Sequence, residues 1–216
     1  MVKYFVHKDG RIYLVKKNDK FCLPSKEEIP FEIEIKNKIN CKGDVYFCSP
    51  KIDYFPEDWP HNDELIIRDD VDKEVKEAFF YSLCRPVVGG IILNDKNEVL
   101  MVYGNRGLSK GFWNAPGGFV EFGEDPAESI VREVFEEIGY KVSVDRLFGV
   151  YSKIYERNTP GYYMIGIFYV LKIEDKSSNI DETEINKVKF MPIEEAIEKT
   201  KNRFVKIAFK DLLKEL

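Results

Sequence analysis

Apolar and polar residues alternate with period two along Phe31-Glu32-Ile33-Glu34-Ile35-Lys36, which predicts a half-buried strand. Upstream, residues 3–7 and 11–16 flank the pair Asp9-Gly10 and read as a β-hairpin, because glycine supplies the positive φ of a tight turn. A stretch rich in proline and acid, residues 50–63, interrupts the pattern, and a helical period follows over residues 72–84. Beyond Arg85-Pro86 two strands are predicted at 87–93 and 99–102, then a glycine-rich loop at 104–118. Asp125-Pro126-Ala127-Glu128 opens a helix with an N-cap, a proline at the first helical position and a Glu three residues after the cap; Gly139 closes it. Strands at 141–154, 162–173 and 188–191 and helices at 193–199 and 203–213 complete the pattern. The expected organisation is a small β-rich domain with a connecting helix, residues 1–85, followed by an α/β domain with a mixed sheet, residues 86–216.

The helix opened by Asp125 carries unusual charge. Ala127, Ile130, Val131, Val134 and Ile138 form one apolar stripe, while Glu133, Glu136 and Glu137 share a neighbouring face about a third of a turn away. Three carboxylates so placed repel one another, and they lie in the C-terminal half of the helix, where the macrodipole disfavours negative charge. Arg132 offsets part of this through Glu128 or Glu136. A divalent cation would remove the conflict, and hard oxygen ligands select Mg²⁺ or Mn²⁺. From the helix alone, a metal site and a solvated charged face both remain open.

Composition narrows the function classes. Of 216 residues, 44% are hydrophobic and 33% charged, so the chain can bury a core and is not a disordered polymer. The net charge of −5 leaves no sequence-wide basic field, which argues against a nucleic acid or an anionic membrane as partner. No run of eighteen apolar residues occurs and the first eight residues lack the apolar stretch of a signal peptide, so a cytoplasmic protein is expected. Cys22, Cys41, Cys48 and Cys84 are widely spaced, as reduced thiols are; a zinc site from the first three with His7 or His61 lacks the usual paired spacing.

Gly118, five residues, Glu124, seven residues, then Arg132-Glu133-Val134-Phe135-Glu136-Glu137-Ile138-Gly139-Tyr140 resembles the Nudix box, with Tyr140 standing where an aliphatic residue is usual. The preceding Trp113-Asn114-Ala115-Pro116-Gly117-Gly118 is similar to the loop that leads into that box. The resemblance covers roughly residues 86–216. It implies the Nudix α/β/α sandwich with a mixed sheet, and metal-dependent hydrolysis of a nucleoside diphosphate linked to a group X by water attack on phosphorus. It further implies Glu133, Glu136, Glu137 and the Gly117 carbonyl as ligands of Mg²⁺ or Mn²⁺, Glu124 as a secondary acidic position, and Arg132 as the residue that orients the carboxylates. The general base is then Glu136 or Glu137, or Glu184 in the acidic run Asp181-Glu182-Thr183-Glu184.

Arg106 and Lys110, in the loop before the box, are candidates for substrate phosphates. Tyr155, with Tyr151, Tyr162 and Tyr163 around the polar segment 156–161, is a candidate for stacking on a base. A unit ahead of a Nudix domain is similar to the layout of NADH pyrophosphatases, but their zinc ribbon and Ser-Gln-Pro-Trp-Pro-Phe-Pro array are lacking. ADP-ribose, nucleotide sugars and nucleoside triphosphates all stay open as the small-molecule substrate. An RNA 5′-end pyrophosphohydrolase and a ligand-sensing Nudix-like module are further alternatives, the second disfavoured because a binding module has no need of the acidic repulsion. A homodimer is in keeping with the resemblance.

Overall fold

A computed structural model describes the chain except residues 40, 66, 156–161 and 177–179; the side chains of residues 63, 108, 153–155 and 162 also lie outside the described set. The chain divides into two compact units, residues 1–84 with 154–163, and residues 85–153 with 164–216.

In the first unit, β1 (Lys3–Lys8), β2 (Arg11–Tyr13), β3 (Val15–Lys17), β4 (Lys20–Cys22), β5 (Ile33–Ile39) and β6 (Val45–Pro50) are followed by the short α1 (Asn62–Leu65) and α2 (Lys73–Ser82). The sheet order is β2-β1-β6-β5, with β1 and β6 parallel. Asp9 and Gly10 make the expected hairpin turn at φ 50° and 77°, bringing Lys8 opposite Arg11. The strand expected over 11–16 is instead divided: β2 ends at Tyr13, and β3 turns back into β4 through Asn18 and Asp19, both at positive φ, a conformation these short polar side chains tolerate. Strand β6 was not foreseen. Its run Val45-Tyr46-Phe47-Cys48 is continuously apolar rather than alternating, as suits a strand flanked on both sides, and Val45 and Cys48 are fully buried. Asp72 caps α2, accepting the Glu74 N–H at 2.8 Å, and Val75, Ala78 and Phe79 pack on Phe5, Ile12, Leu23 and Val45. Cys48 belongs to a separate cluster with Val6, Ile29 and Trp59, and burial pushes its thiol up to about 11. All four cysteines are free thiols.

The second unit contains β7 (Arg85–Ile92), β8 (Val99–Gly104), β9 (Trp113–Asn114), α3 (Pro126–Ile138), β10 (Lys141–Tyr155) up to residue 153, β11 (Tyr162–Asp175) from residue 164, β12 (Ile185–Met191), α4 (Ile193–Lys199) and α5 (Arg203–Glu215). One sheet runs β10-β11-β7 with β11 parallel to β7; the other runs β12-β8-β9 and is antiparallel. Alternation along the strands gives each face its own helix. Val88, Ile92 and Leu171 meet Ile130, Val134 and Ile138 of α3. On the other face, Phe204 of α5 lies against Gly166, and Tyr151, edge-on to Phe168, donates its hydroxyl to Asp211 of α5. The result is an α/β/α arrangement with mixed strand directions. Among the described residues no helix is long and apolar enough to cross a membrane.

Candidate active site

The apolar stripe of α3 seats the helix, and its two ends are closed as the sequence requires. Asp125 accepts the Ala127 N–H at 2.8 Å, and Gly139, at φ 70°, turns its N–H back to Phe135. With the helix fixed, its acidic face meets the loop 113–118. The Pro116 and Gly118 carbonyls accept from the Gly90 and Val88 amides of β7 at 2.8 and 2.9 Å, which pins that loop to the sheet edge. Gly117, at φ 142°, donates its N–H to Glu137 Oε2 at 3.0 Å, and a Cβ there would collide with the Val88 carbonyl. Gly118 lets the Glu133 carboxylate approach the backbone where any side chain would block it.

Arg132 ties the carboxylates together. Its Nε and Nη2 grip Glu124 in a two-pronged contact at 2.7 and 3.0 Å, and its Nη1 donates to Glu133 at 3.0 Å and Glu136 at 2.8 Å. Nη2 also reaches the hydroxyl of buried Ser129 and the Phe119 carbonyl. The Arg132 guanidinium holds the Glu124 carboxyl down at about 2, and the carboxylates in turn raise Arg132. Burial acts the other way on the next two. The Glu133 side chain is 15% exposed and its carboxyl is pushed up despite Arg132. Glu137, 8% exposed, has its carboxyl pushed up to about 8 by burial, against the Gly117 N–H that holds it down, with the charges of Glu133 and Glu136 adding to the rise. Glu136, by contrast, has a side chain 58% exposed.

The acidic run 181–184 is an ordered turn attached to this helix end. Asp181 donates its N–H to the Glu137 carbonyl at 3.2 Å, and its carboxylate accepts both the N–H and the hydroxyl of Thr183 at 2.9 and 2.6 Å. Glu184 forms an ion pair with Arg106, so two residues assigned separate roles from sequence are partners here. Lys110 is exposed one turn of chain further on, its N–H bonded to the Gly107 carbonyl. The side chain of Tyr155 lies outside the described residues, as does the segment 156–161. Asn105 and Ser129 were missed by sequence reasoning. Ser129 carried a signal, a lone hydroxyl beside the apolar stripe; Asn105 carried none.

Among the described residues no three acidic, His or Cys side chains converge as a metal cluster; Arg132 occupies Glu133 and Glu136, and the Gly117 amide occupies Glu137. The donor chemistry nonetheless fits a hard divalent cation. All donors are oxygens, the Glu137 carboxylate is buried and that of Glu133 partly so, where a negative charge lacks water, and the Gly117 carbonyl, between two that bond β7, receives no backbone N–H among the described residues. An open groove lined by Asp95, Asp145, Lys172, Glu174, Lys176 and Phe190 contains none of these residues.

The model of the NUDIX domain matches residues 84–212, more than half of the chain. The chain belongs to the Nudix family. Residues of this Nudix chain align with an ADP-ribose pyrophosphatase of Methanocaldococcus jannaschii at 36% identity over 101 residues, covering 47% of this chain and 58% of that protein. An RNA pyrophosphohydrolase of Ruthia magnifica is 28% identical over 152 residues, 61% of this chain and 80% of that protein. Among solved structures, a MutT protein from Methanosarcina mazei superposes with a TM-score of 0.52 at 22% identity, over 61% of this chain and 94% of that one, a likeness of fold.

Proposed function

We propose that this Nudix protein is a divalent-metal-dependent pyrophosphohydrolase that splits the diphosphate of a nucleoside diphosphate linked to a group X, with ADP-ribose the foremost substrate. The observation that carries the reading is the Arg132 network: one guanidinium holds Glu124, Glu133 and Glu136 beside a buried Glu137, a concentration of carboxylates that a fold has no structural reason to collect. The name of the Methanocaldococcus jannaschii relative supports ADP-ribose.

In this reading Glu133, Glu136, Glu137 and the Gly117 carbonyl hold Mg²⁺ or Mn²⁺. When bound, the metal neutralises diphosphate oxygens and lowers the pKa of a water ligand. The protein's own residues do the rest. Arg132 keeps Glu124, Glu133 and Glu136 aimed, so their orientation is set before substrate arrives. Gly117, pinned to β7, presents a rigid backbone to Glu137 and the substrate. A carboxylate, Glu136 or Glu137, accepts the proton of the attacking water; the new P–O bond forms as the bridging P–O bond breaks and its oxygen leaves with the charge. Arg106 and Lys110 serve the phosphates and Tyr155 the base. We take residues 1–85 and 86–216 as two domains of a cytoplasmic enzyme that forms a homodimer and meets neither membrane nor nucleic acid.

A turnover screen tests this, with ADP-ribose, NADH, nucleotide sugars, nucleoside triphosphates and a 5′-triphosphorylated RNA, each with and without Mg²⁺. Mg²⁺-dependent release of AMP from ADP-ribose is expected. Preference for the RNA would move the substrate to the class named for the Ruthia magnifica relative, and turnover of none would leave a ligand-sensing module.

A further inference from the structure

The Arg106–Glu184 ion pair lies where the loop 104–112 meets the acidic turn. Resting on the reading above, we propose that Glu184 is an internal competitor for Arg106, and that the pair is a latch which the substrate diphosphate opens by taking the guanidinium for itself.

Three observations lead there. First, the pair is built to be exchanged. Arg106 has a side chain 64% exposed and Glu184 one 32% exposed, so solvent screens their attraction and little stability is lost when they part. A diphosphate carries at least twice the charge of a carboxylate and offers the same pair of oxygens to the guanidinium fork, so it outcompetes Glu184 for one cation. Secondly, the turn does not depend on the ion pair for its position. The Asn105 N–H donates to the Glu184 carbonyl at 2.7 Å and its Nδ2 to the Glu182 carbonyl at 3.0 Å. Asn105, through its backbone and its side-chain amide, therefore holds loop to turn when the Arg106 side chain leaves. Thirdly, the turn is anchored to the helix that bears the carboxylates, through the Asp181 N–H and the Glu137 carbonyl. Glu184 and Arg106 consequently sit beside the end of α3 from which Glu137 projects, within the same unit of the chain.

Two consequences follow for the working cycle. Without substrate, Arg106 is neutralised by Glu184. With substrate, Arg106 moves to the diphosphate and the Glu184 carboxylate is left without its cation; after cleavage its pull on Arg106 helps the phosphate-bearing products leave. Asn105 is a positioning residue in this scheme, and Arg106 a substrate-binding one whose affinity Glu184 sets.

The test is a titration of α,β-methylene-ADP, a diphosphate that cannot be hydrolysed at the bridged bond, into the full-length protein at saturating Mg²⁺ by calorimetry. Glu184→Gln removes the competitor and keeps the shape, and is expected to bind the analogue about threefold more tightly, the scale set by an exposed ion pair. Arg106→Gln is expected to bind about tenfold more weakly, Arg106→Lys to recover most of that loss, and Arg106→Gln/Glu184→Gln to bind like Arg106→Gln alone. A structural role for Glu184 would weaken binding, never tighten it. The latch is overturned if Glu184→Gln leaves affinity unchanged or lower, if the wild type does not bind the analogue, or if Glu184→Gln tightens binding equally in the Arg106→Gln background, since that gain would come from long-range repulsion. Wild-type binding with the expected pattern but no turnover in the screen would sink the enzymatic reading and leave the latch standing; turnover with an additive pattern would do the reverse.

Discussion

Glu137 is the residue at which burial and charge conflict most directly. In the metal-free protein its carboxyl keeps a proton up to about pH 8, whereas the unfolded chain releases it near 4.5. The folded state therefore binds more protons between those values, so this contribution to stability is fully present below pH 4.5, falls as pH rises through the window and levels off above 8. In a chelator, the melting temperature is expected to drop from pH 5 to pH 8, and Glu137→Gln, which carries no proton to lose, is expected to flatten that drop. Thermal scans at four or five pH values check this; a melting temperature that rises with pH in the wild type alone would contradict it. The spacing of Glu133, Glu136 and Glu137 along one helix was readable without coordinates, as was a contact between Arg132 and Glu136. Which carboxylate is buried was not: Glu136 and Glu137 are chain neighbours, yet the first is exposed and the second buried, because of the two only Glu137 points under the Gly117 loop.

At the scale of elements, α3 was legible to within a residue because cap, proline, stripe and glycine all agree. Its N-cap is worth testing by itself. Asp125→Ala removes the acceptor for the Ala127 amide and is expected to cost about 1 kcal/mol in denaturant unfolding, with the m-value unchanged. Gly117→Ala acts differently. Its Cβ meets the Val88 carbonyl and its φ is closed to alanine, so the loop must leave β7; a loss of about 2–4 kcal/mol and of the Glu137 hydrogen bond is expected. Retention of wild-type stability by Gly117→Ala would show that the loop is not pinned as described. Elements that depend on distant partners were the ones missed. Strand β6 has no alternation to reveal it, and the turn 181–184 reads as solvated acid until the Glu137 carbonyl and Asn105 are seen to hold it.

For the whole molecule, two separate sets of apolar residues define two units: Phe5, Ile12, Val45 and Val75 in the first, Val88, Leu100, Ile130 and Val134 in the second. The units part between residues 84 and 85, and residues 154–163 group with the first, a grouping that nothing local in that segment names. If the carboxylates of α3 hold a metal, Mg²⁺ stabilises the unit that contains them. Calorimetry is expected to show the transition of residues 85–216 rising by several degrees in excess Mg²⁺, and by much less in Glu133→Gln, while any separate transition of the first unit stays put. Equal shifts in wild type and variant would put the ion elsewhere.

The most direct test of the account is the Mg²⁺ dependence of turnover, measured on the best substrate of the screen for the wild type and Glu137→Gln. A cation held by the α3 carboxylates predicts turnover that requires Mg²⁺ in the wild type and falls about a hundredfold or more in the variant, with the fold intact by circular dichroism. Equal turnover by Glu137→Gln at saturating Mg²⁺, or full wild-type turnover in chelator, would contradict it.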